Sequence, residues 1–130
     1  MIRYLDTSAA MKLLVEETES AALVTFLGAG AAAQGLVASW LLHTELHCAA
    51  SRHPNEVDLQ SVGIVLDSVT LLDLTRGDLL TSGTLPGRLR SNDALHLAVA
   101  LRVGADEIVT YDTELAAAAS AAGIAAVGPS

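Results

Sequence analysis

The sequence predicts an α/β fold, a three-layer α/β/α sandwich around a central parallel sheet. Three observations predict it. Short apolar runs at Ile2–Leu5, Leu36–Ser39, Val69–Leu74, Glu107–Tyr111 and Ile124–Val127 alternate with longer stretches of helical periodicity. Those runs are apolar almost throughout rather than on every second residue, as strands covered on both faces are. The chain has 130 residues, 52% of them hydrophobic and 17% charged, which is enough apolar sequence for one ordinary core and excludes intrinsic disorder.

The elements follow in order. The first strand ends at Asp6, and Ser8–Glu16 continues as an amphipathic helix with Ala9 and Leu13 on one face. Thr18 reads as the N-cap of a helix over Glu19–Leu27, which Gly28 and Gly30 stop. After the second strand, Trp40–Arg52 is helical, Pro54 breaks the chain, and Glu56–Asp67 forms a fourth helix. Residues 75–87 form a short helix or turn ending among Gly83, Pro86 and Gly87. Asn92–Val103 is a strongly helical segment closed by Gly104. Asp112–Ala122, closed by Gly123, is a small-residue packing helix rather than low-complexity sequence. There is no internal repeat and no linker, so residues 1–130 read as one domain.

Residues 20–42 carry no Asp, Glu, Lys or Arg, long enough on paper to cross a bilayer. Gly28, Gly30, Gln34 and Gly35 divide that stretch into a helix end, a loop and a buried strand, so no membrane segment is expected. Asp6 and Lys12 interrupt the N-terminus before an apolar region of signal-peptide length can form. The single Cys48 excludes an intrachain disulfide and fits a reducing compartment; among alanines it reads as a small buried hydrophobe. A soluble, cytoplasmic protein is the expectation.

Seven basic residues against fifteen acidic give a net charge of −8, which argues against binding nucleic acid through a basic face. Two Tyr, one Trp and one Phe leave little for a base-stacking platform. A metal-loaded acidic site can still act on a polyanion. The acids sort by the rule that open α/β sheets bind ligands at the carboxyl ends of their strands. Asp6 ends the first strand and Asp112 the fourth; Glu45 lies about one and a half turns into the helix leaving the second, and Asp93 opens the helix at 92–103. Each has a bland reading. Asp6 and Asp112 as N-caps are worth about 1 kcal/mol each, Asp93 can complement a helix dipole, and Glu45 can be a solubilising charge. What weighs against four separate bland readings is that all four carboxylates map to one sheet edge. Converging carboxylates without a nearby Lys or Arg resist ionisation. A hard divalent cation resolves that conflict, and oxygen-only ligands suit Mg²⁺ or Mn²⁺.

The same residues carry a resemblance. Ile2-Arg-Tyr-Leu-Asp6-Thr-Ser-Ala9, Glu45 within Trp40-Leu-Leu-His-Thr-Glu-Leu46, Ser91-Asn-Asp93-Ala-Leu-His-Leu-Ala98 and Val109-Thr-Tyr-Asp112-Thr-Glu-Leu-Ala116 resemble the PIN-domain ribonucleases, most of all the VapC toxins of VapBC toxin–antitoxin modules. The resemblance spans residues 2 to about 127. It implies a three-layer fold, a Mg²⁺- or Mn²⁺-dependent endoribonuclease site, RNA as substrate, a cognate VapB-like antitoxin and a homodimer. By position it implies that Asp6, Glu45, Asp93 and Asp112 form the acidic quartet. In it Asp6 and Asp93 touch metal directly, Glu45 and Asp112 act partly through water, and Ser8 is a donor behind them. The reaction implied is metal-assisted hydrolysis leaving a 5′-phosphate and a 3′-hydroxyl.

Other chemistry is weaker. His43 and His47 have the i, i+4 spacing of a zinc pair, but Glu45 lies about 200° around that helix, so the pair and Glu45 cannot face one site. His96 reads as a hydrogen-bonded structural histidine, and Arg88 and Arg90 are possible contacts to RNA phosphates or an ordinary exposed loop. There is no phosphate-binding Gly-rich loop with a following Lys. An aspartyl-nucleophile phosphatase wants a second acid where Ser8 stands, and a receiver-like module wants a late Lys, whereas none follows Lys12. A non-catalytic PIN-like or receiver-like binding module is the rival reading.

Overall fold

The computed structural model describes residues 1–29 and 35–130. Its centre is β1 (Arg3–Leu5), flanked by β2 (Leu36–Ser39) and β4 (Glu107–Val109), with β3 (Thr70–Leu72) and β5 (Ala125–Val127) at the edges. The sheet order is β3-β2-β1-β4-β5 and every pairing is parallel, with Arg3 opposite both Leu36 and Glu107. The chain steps outward from β1 to β3 on one side, then returns to the other side of β1. The order therefore reverses between β1 and β4, where doubly wound sheets open a crevice at their carboxyl edge.

The helices are α1 (Thr7–Leu14), α2 (Ser20–Leu27), α3 (Trp40–Arg52), α4 (Leu59–Asp67), α5 (Arg76–Ser82), α6 (Ser91–Arg102) and α7 (Thr113–Ala121). Successive strand residues point to opposite faces, and here both faces are covered. Leu5 and Val109 pack with Ala9, Leu23, Leu42, Leu46 and Val62 of α1–α4, while Tyr4 and Ile108 pack with Leu97, Val99, Leu115 and Ala119 of α6 and α7. Helices thus lie on either side of the sheet, the expected three layers. At or just beyond the end of three strands a polar residue caps the helix that follows: Asp6, next after β1, caps α1, Ser39, the last of β2, caps α3, and Asp112, three residues past β4, caps α7. These turns place short polar side chains along one edge.

Element ends differ from the sequence expectations where backbone partners decide them. The first helix stops at Leu14, with the Val15 N–H donating to the Met11 carbonyl, rather than reaching Glu16. Thr18 caps nothing; Glu19 occupies the cap position of α2 without a side-chain bond. Asp58 caps α4, so Glu56 precedes that helix. β4 ends at Val109, short of Tyr111, although the Thr110 N–H still donates to the Val127 carbonyl of β5, and β3 is likewise shorter than its apolar run. The ambiguous 75–87 segment is helical from Arg76 because Thr75 and Asp78 form a reciprocal capping box. Gly30 and Gln34, expected in the loop before β2, lie outside the described residues. Among the described residues no helix is long and apolar enough to cross a membrane.

Cys48 corrects an expectation: it is exposed. The buried stripe of α3 is Leu42, Leu46, Ala49 and Ala50. Cys48 is two residues from both Leu46 and Ala50, about 200° around the helix from each, so its alanine neighbours say nothing about its own face.

Candidate active site

Asp6 combines the two readings the sequence set against each other. Its side chain caps α1, and it is also 1% exposed at the switch point of the sheet. Its Oδ2 accepts from the Ser8 N–H at 3.2 Å, the Ser8 hydroxyl at 2.7 Å and the Thr110 hydroxyl at 2.8 Å. Its Oδ1 is buried with no hydrogen-bond partner, alone in this among the described residues. A buried carboxylate oxygen without a donor is costly unless a cation meets it. Asp112 is built alike: Oδ1 accepts from the N–H groups of Glu114 and Leu115 at 2.9 and 3.0 Å, while its own N–H donates to Thr110 at 3.1 Å. The Thr110 hydroxyl therefore links the turns after β1 and β4.

Glu45 is held from the opposite side. Its Oε1 accepts from the Thr7 hydroxyl at 2.8 Å and lies 2.6 Å from Nε2 of His96, while Oε2 is 3.5 Å from the Asn92 amide. His96 is fully buried, and its Nδ1 is 2.6 Å from the Tyr4 hydroxyl, which accepts from the Ser39 N–H at 3.2 Å. With the phenol's one proton directed at Nδ1, the imidazole proton sits on Nε2 and is donated to Glu45. Burial pushes the Tyr4 phenol well above its usual range, so it stays a neutral donor. Burial also opposes the Glu45 charge, but the His96, Thr7 and Asn92 contacts outweigh it and hold the carboxyl below its ordinary value. Asp93, in the first turn of α6, goes the other way. Burial, then the negative charges of Asp6, Asp112 and Glu45, raise it from 3.8 to about 6, with His96 opposing.

Thr7, Glu45, Arg90, Ser91, Asn92, Asp93 and Asp112 line a pocket of about 360 Å³ over this edge. Among the described residues no three His, Cys, Asp or Glu side chains stand close enough to form a ready-made metal cage. Glu45, Asp93 and Asp112 instead line the pocket and Asp6 is buried beside it, near enough that the other three raise the Asp93 carboxyl. Carboxylates without a compensating cation keep apart.

A PIN-domain profile matches residues 3–121 of this sequence. The chain belongs to the PIN-domain family. Its relatives include Ribonuclease VapC46 of Mycobacterium tuberculosis, 35% identical over 135 residues, covering 98% of this chain and 97% of that one. Ribonuclease VapC47 of the same species is 32% identical over 130 residues, covering 97% and 96%. Among solved structures, PAE2754 from Pyrobaculum aerophilum superposes with a TM-score of 0.71 at 23% identity, over 98% of this chain and 84% of that one. A toxin–antitoxin complex from Klebsiella pneumoniae gives 0.62 at 21% identity, over 98% of both chains.

The remaining candidates of this PIN domain separate by position. Arg90 lines the acidic pocket, whereas Arg88 lines a different one beside Leu79, Leu85 and Leu89. His43 and His47 stack with ring centroids 4.2 Å apart beside Trp40, and Nδ1 of His47 bonds the His43 carbonyl at 2.7 Å. That row is on a face of α3 away from Glu45. Sequence reasoning missed Thr7, Thr110, Tyr4 and Asn92 as supports of the carboxylates. Thr7 and Thr110 carried a usable signal, since each stands within two residues of an acid at a strand's carboxyl end. Tyr4 carried none, because an aromatic in a central strand reads as core.

Proposed function

We propose that residues 1–130 act as one PIN domain that is a metal-dependent endoribonuclease of the VapC kind, the toxin of a toxin–antitoxin pair. The observation that carries this reading is the buried, unpartnered Oδ1 of Asp6 at the switch point, beside an Asp93 whose carboxyl resists ionisation at the same edge. Both are what a site built around a cation looks like without its countercharge. The donor set is oxygen only, which fits Mg²⁺ or Mn²⁺ rather than zinc. Asp6 and Asp93 would hold the ion, with Glu45 and Asp112 bounding the pocket and able to reach it through water. When bound, such an ion supplies Lewis acidity and a lowered water pKa to phosphodiester hydrolysis.

The chain's own residues do the rest. Ser8 and Thr110 clamp one oxygen of Asp6 so that the other is presented. The Tyr4–His96 pair keeps Glu45 anionic and aimed from α3. Arg90, which makes no ion pair among the described residues, stands at the pocket rim where a substrate phosphate would arrive. Relatives named Ribonuclease VapC support RNA as substrate, and the toxin–antitoxin neighbour supports a protein inhibitor. A VapB-like antitoxin, a homodimer and a cytoplasmic location complete the proposal. The test has two arms. Purified protein should cleave RNA with Mn²⁺ or Mg²⁺ and not in EDTA, and Asp6→Asn should abolish cleavage with the fold intact. Expression alone should arrest growth, and co-expression of the protein encoded beside it should relieve the arrest. Full activity of a folded Asp6→Asn protein would overturn the site; unaffected growth at good yield would overturn the toxin role.

A further inference from the structure

A second groove, of about 530 Å³, adjoins the acidic pocket and runs between α1 and α3. The two share Thr7, Glu45 and Asn92, so they lie side by side along one trough. Beyond that shared wall, the lining changes character. Met11, Leu41 and Ala49 make an apolar floor, the exposed Thr44 offers a hydroxyl, and the exposed Arg52 and His53 are at the far end. Glu45 is the one carboxylate lining this groove, against three lining the acidic pocket. Arg52 is seven residues along α3 from Glu45, about 10 Å by helical rise.

The distribution of cations sharpens this. Of the seven Lys and Arg residues, Arg3, Lys12 and Arg102 are spent in ion pairs with Glu107, with Glu17 and Glu19, and with Asp78. Among the described residues Arg52, Arg76, Arg88 and Arg90 make none. Two of those four line the trough, Arg90 in the acidic pocket and Arg52 in the groove. In a chain of net charge −8, unpaired arginines on the two sides of an acidic centre are the pattern a polyanion needs.

We propose that this groove is a nucleotide subsite for single-stranded RNA, holding a residue that flanks the bond to be cut, with Arg52 on its phosphate and its base between the Met11–Leu41 floor and the His53 ring. The inference rests on the RNA-cleaving reading above. An internally cleaved strand has chain on both sides of the reacting phosphate, so it must leave the acidic pocket along the surface, and among the described residues the groove adjoins that pocket directly. The occupant is unpaired RNA, since bases reach apolar floors and histidine rings when splayed from a duplex. Thr44 and Asn92 lie where a base edge could be hydrogen-bonded, which makes them candidates for sequence preference.

Cys48 gives the groove a built-in probe, being the chain's single cysteine, exposed, and part of the lining. The experiment uses a random-sequence, fluorescein-labelled single-stranded RNA dodecamer, with anisotropy read in EDTA and cleavage in Mn²⁺. Arg52→Ala should weaken binding about five- to tenfold and raise KM by a similar factor with kcat little changed. The slope of log K against log salt should become shallower by about 0.7, the value of one phosphate contact to a single strand. Arg52→Lys should keep the salt slope, and Arg76→Ala, at the start of α5, should match wild type. A bulky maleimide on Cys48 should reproduce the Arg52→Ala defect, and Cys48→Ala should be insensitive to the reagent. Wild type that binds and cleaves RNA, with Arg52→Ala and the Cys48 adduct indistinguishable from it, would overturn the subsite and leave the nuclease reading standing. Wild type that neither binds nor cleaves would overturn both. If the adduct spares RNA binding and cleavage but prevents the purified neighbouring antitoxin from inhibiting cleavage, the groove serves a protein and the proposal fails.

Discussion

Replacing Asp93 by Asn should stabilise the metal-free protein at neutral pH. The Asp93 carboxyl is raised from 3.8 to about 6, by burial first and then by Asp6, Asp112 and Glu45. Between those two values the folded protein holds a proton that the unfolded chain has released. Stability therefore falls as pH rises through that window, and the penalty is complete above it. Each pH unit is worth about 1.4 kcal/mol, so the interval sets a ceiling of about 3 kcal/mol. The side chain is only partly buried, and solvent screening brings the penalty to about 1–2 kcal/mol. Working against it, a carboxylate in the first turn of α6 gains about 0.3–1 kcal/mol from the helix dipole. The net expectation is about 1 kcal/mol, or roughly 3–5 °C in Tm for a domain of this size. Thermal melts of wild type and Asp93→Asn in EDTA should coincide near pH 4 and separate in favour of the variant by pH 7. Adding Mn²⁺ should reverse the order, since an ion at about a hundred times its Kd adds roughly 2.7 kcal/mol to the protein that binds it. An Asp93→Asn protein that melts below wild type across the whole range in EDTA, or a gap that ignores pH, would refute the charge-crowding account.

The remaining predictions probe the neighbours. Asp6→Asn or Asp112→Asn should lower the Asp93 carboxyl from about 6, read by carboxyl NMR titration, because each removes a negative charge that now raises it; an unmoved value would mean the acids are not neighbours in solution. His96→Leu should cost about 2–4 kcal/mol by urea denaturation, since it strips Glu45 of its 2.6 Å donor and the Tyr4 hydroxyl of its acceptor. Adding Tyr4→Phe to it should cost less than the sum of the single changes, and strict additivity would show the relay is not one unit. Arg102→Met leaves the 2%-exposed Asp78 without its two guanidinium bonds and should cost about 2 kcal/mol. Arg102 and Thr75 together hold the Asp78 carboxyl below its ordinary value despite burial, so wild type should lose stability as acid protonates it. The variant should lose less over the same acid range.

Much of this protein was determined by sequence alone, and for local reasons. A run such as Ile2–Leu5, with apolar residues on both parities and Asp6 after it, reads as a strand covered on both faces that ends at a polar turn. The same logic put Asp112 at the end of the fourth strand and set Glu45 on a different face of α3 from the His43–His47 row, without saying which face turns inward. Pattern and periodicity are properties of neighbours in the chain, so they survive without coordinates. Element ends were less legible because backbone partners decide them, as the capping box of Thr75 and Asp78 shows.

Tertiary structure decided everything that depends on which surfaces meet. Setting β4 against β1 lets Thr110 donate to Asp6 across 104 residues, leaving Oδ1 of Asp6 without a partner. The packing of α6 against the sheet turned His96 from an ambiguous histidine into the buried link between Tyr4 and Glu45. It also assigned Arg90 to the acidic pocket and Arg88 to another, though only Leu89 separates them. The exposure of Cys48 has the same origin: composition averages over a helix, and burial belongs to a face. Long-range contact depends on strand order and helix rotation, which no local window of sequence contains.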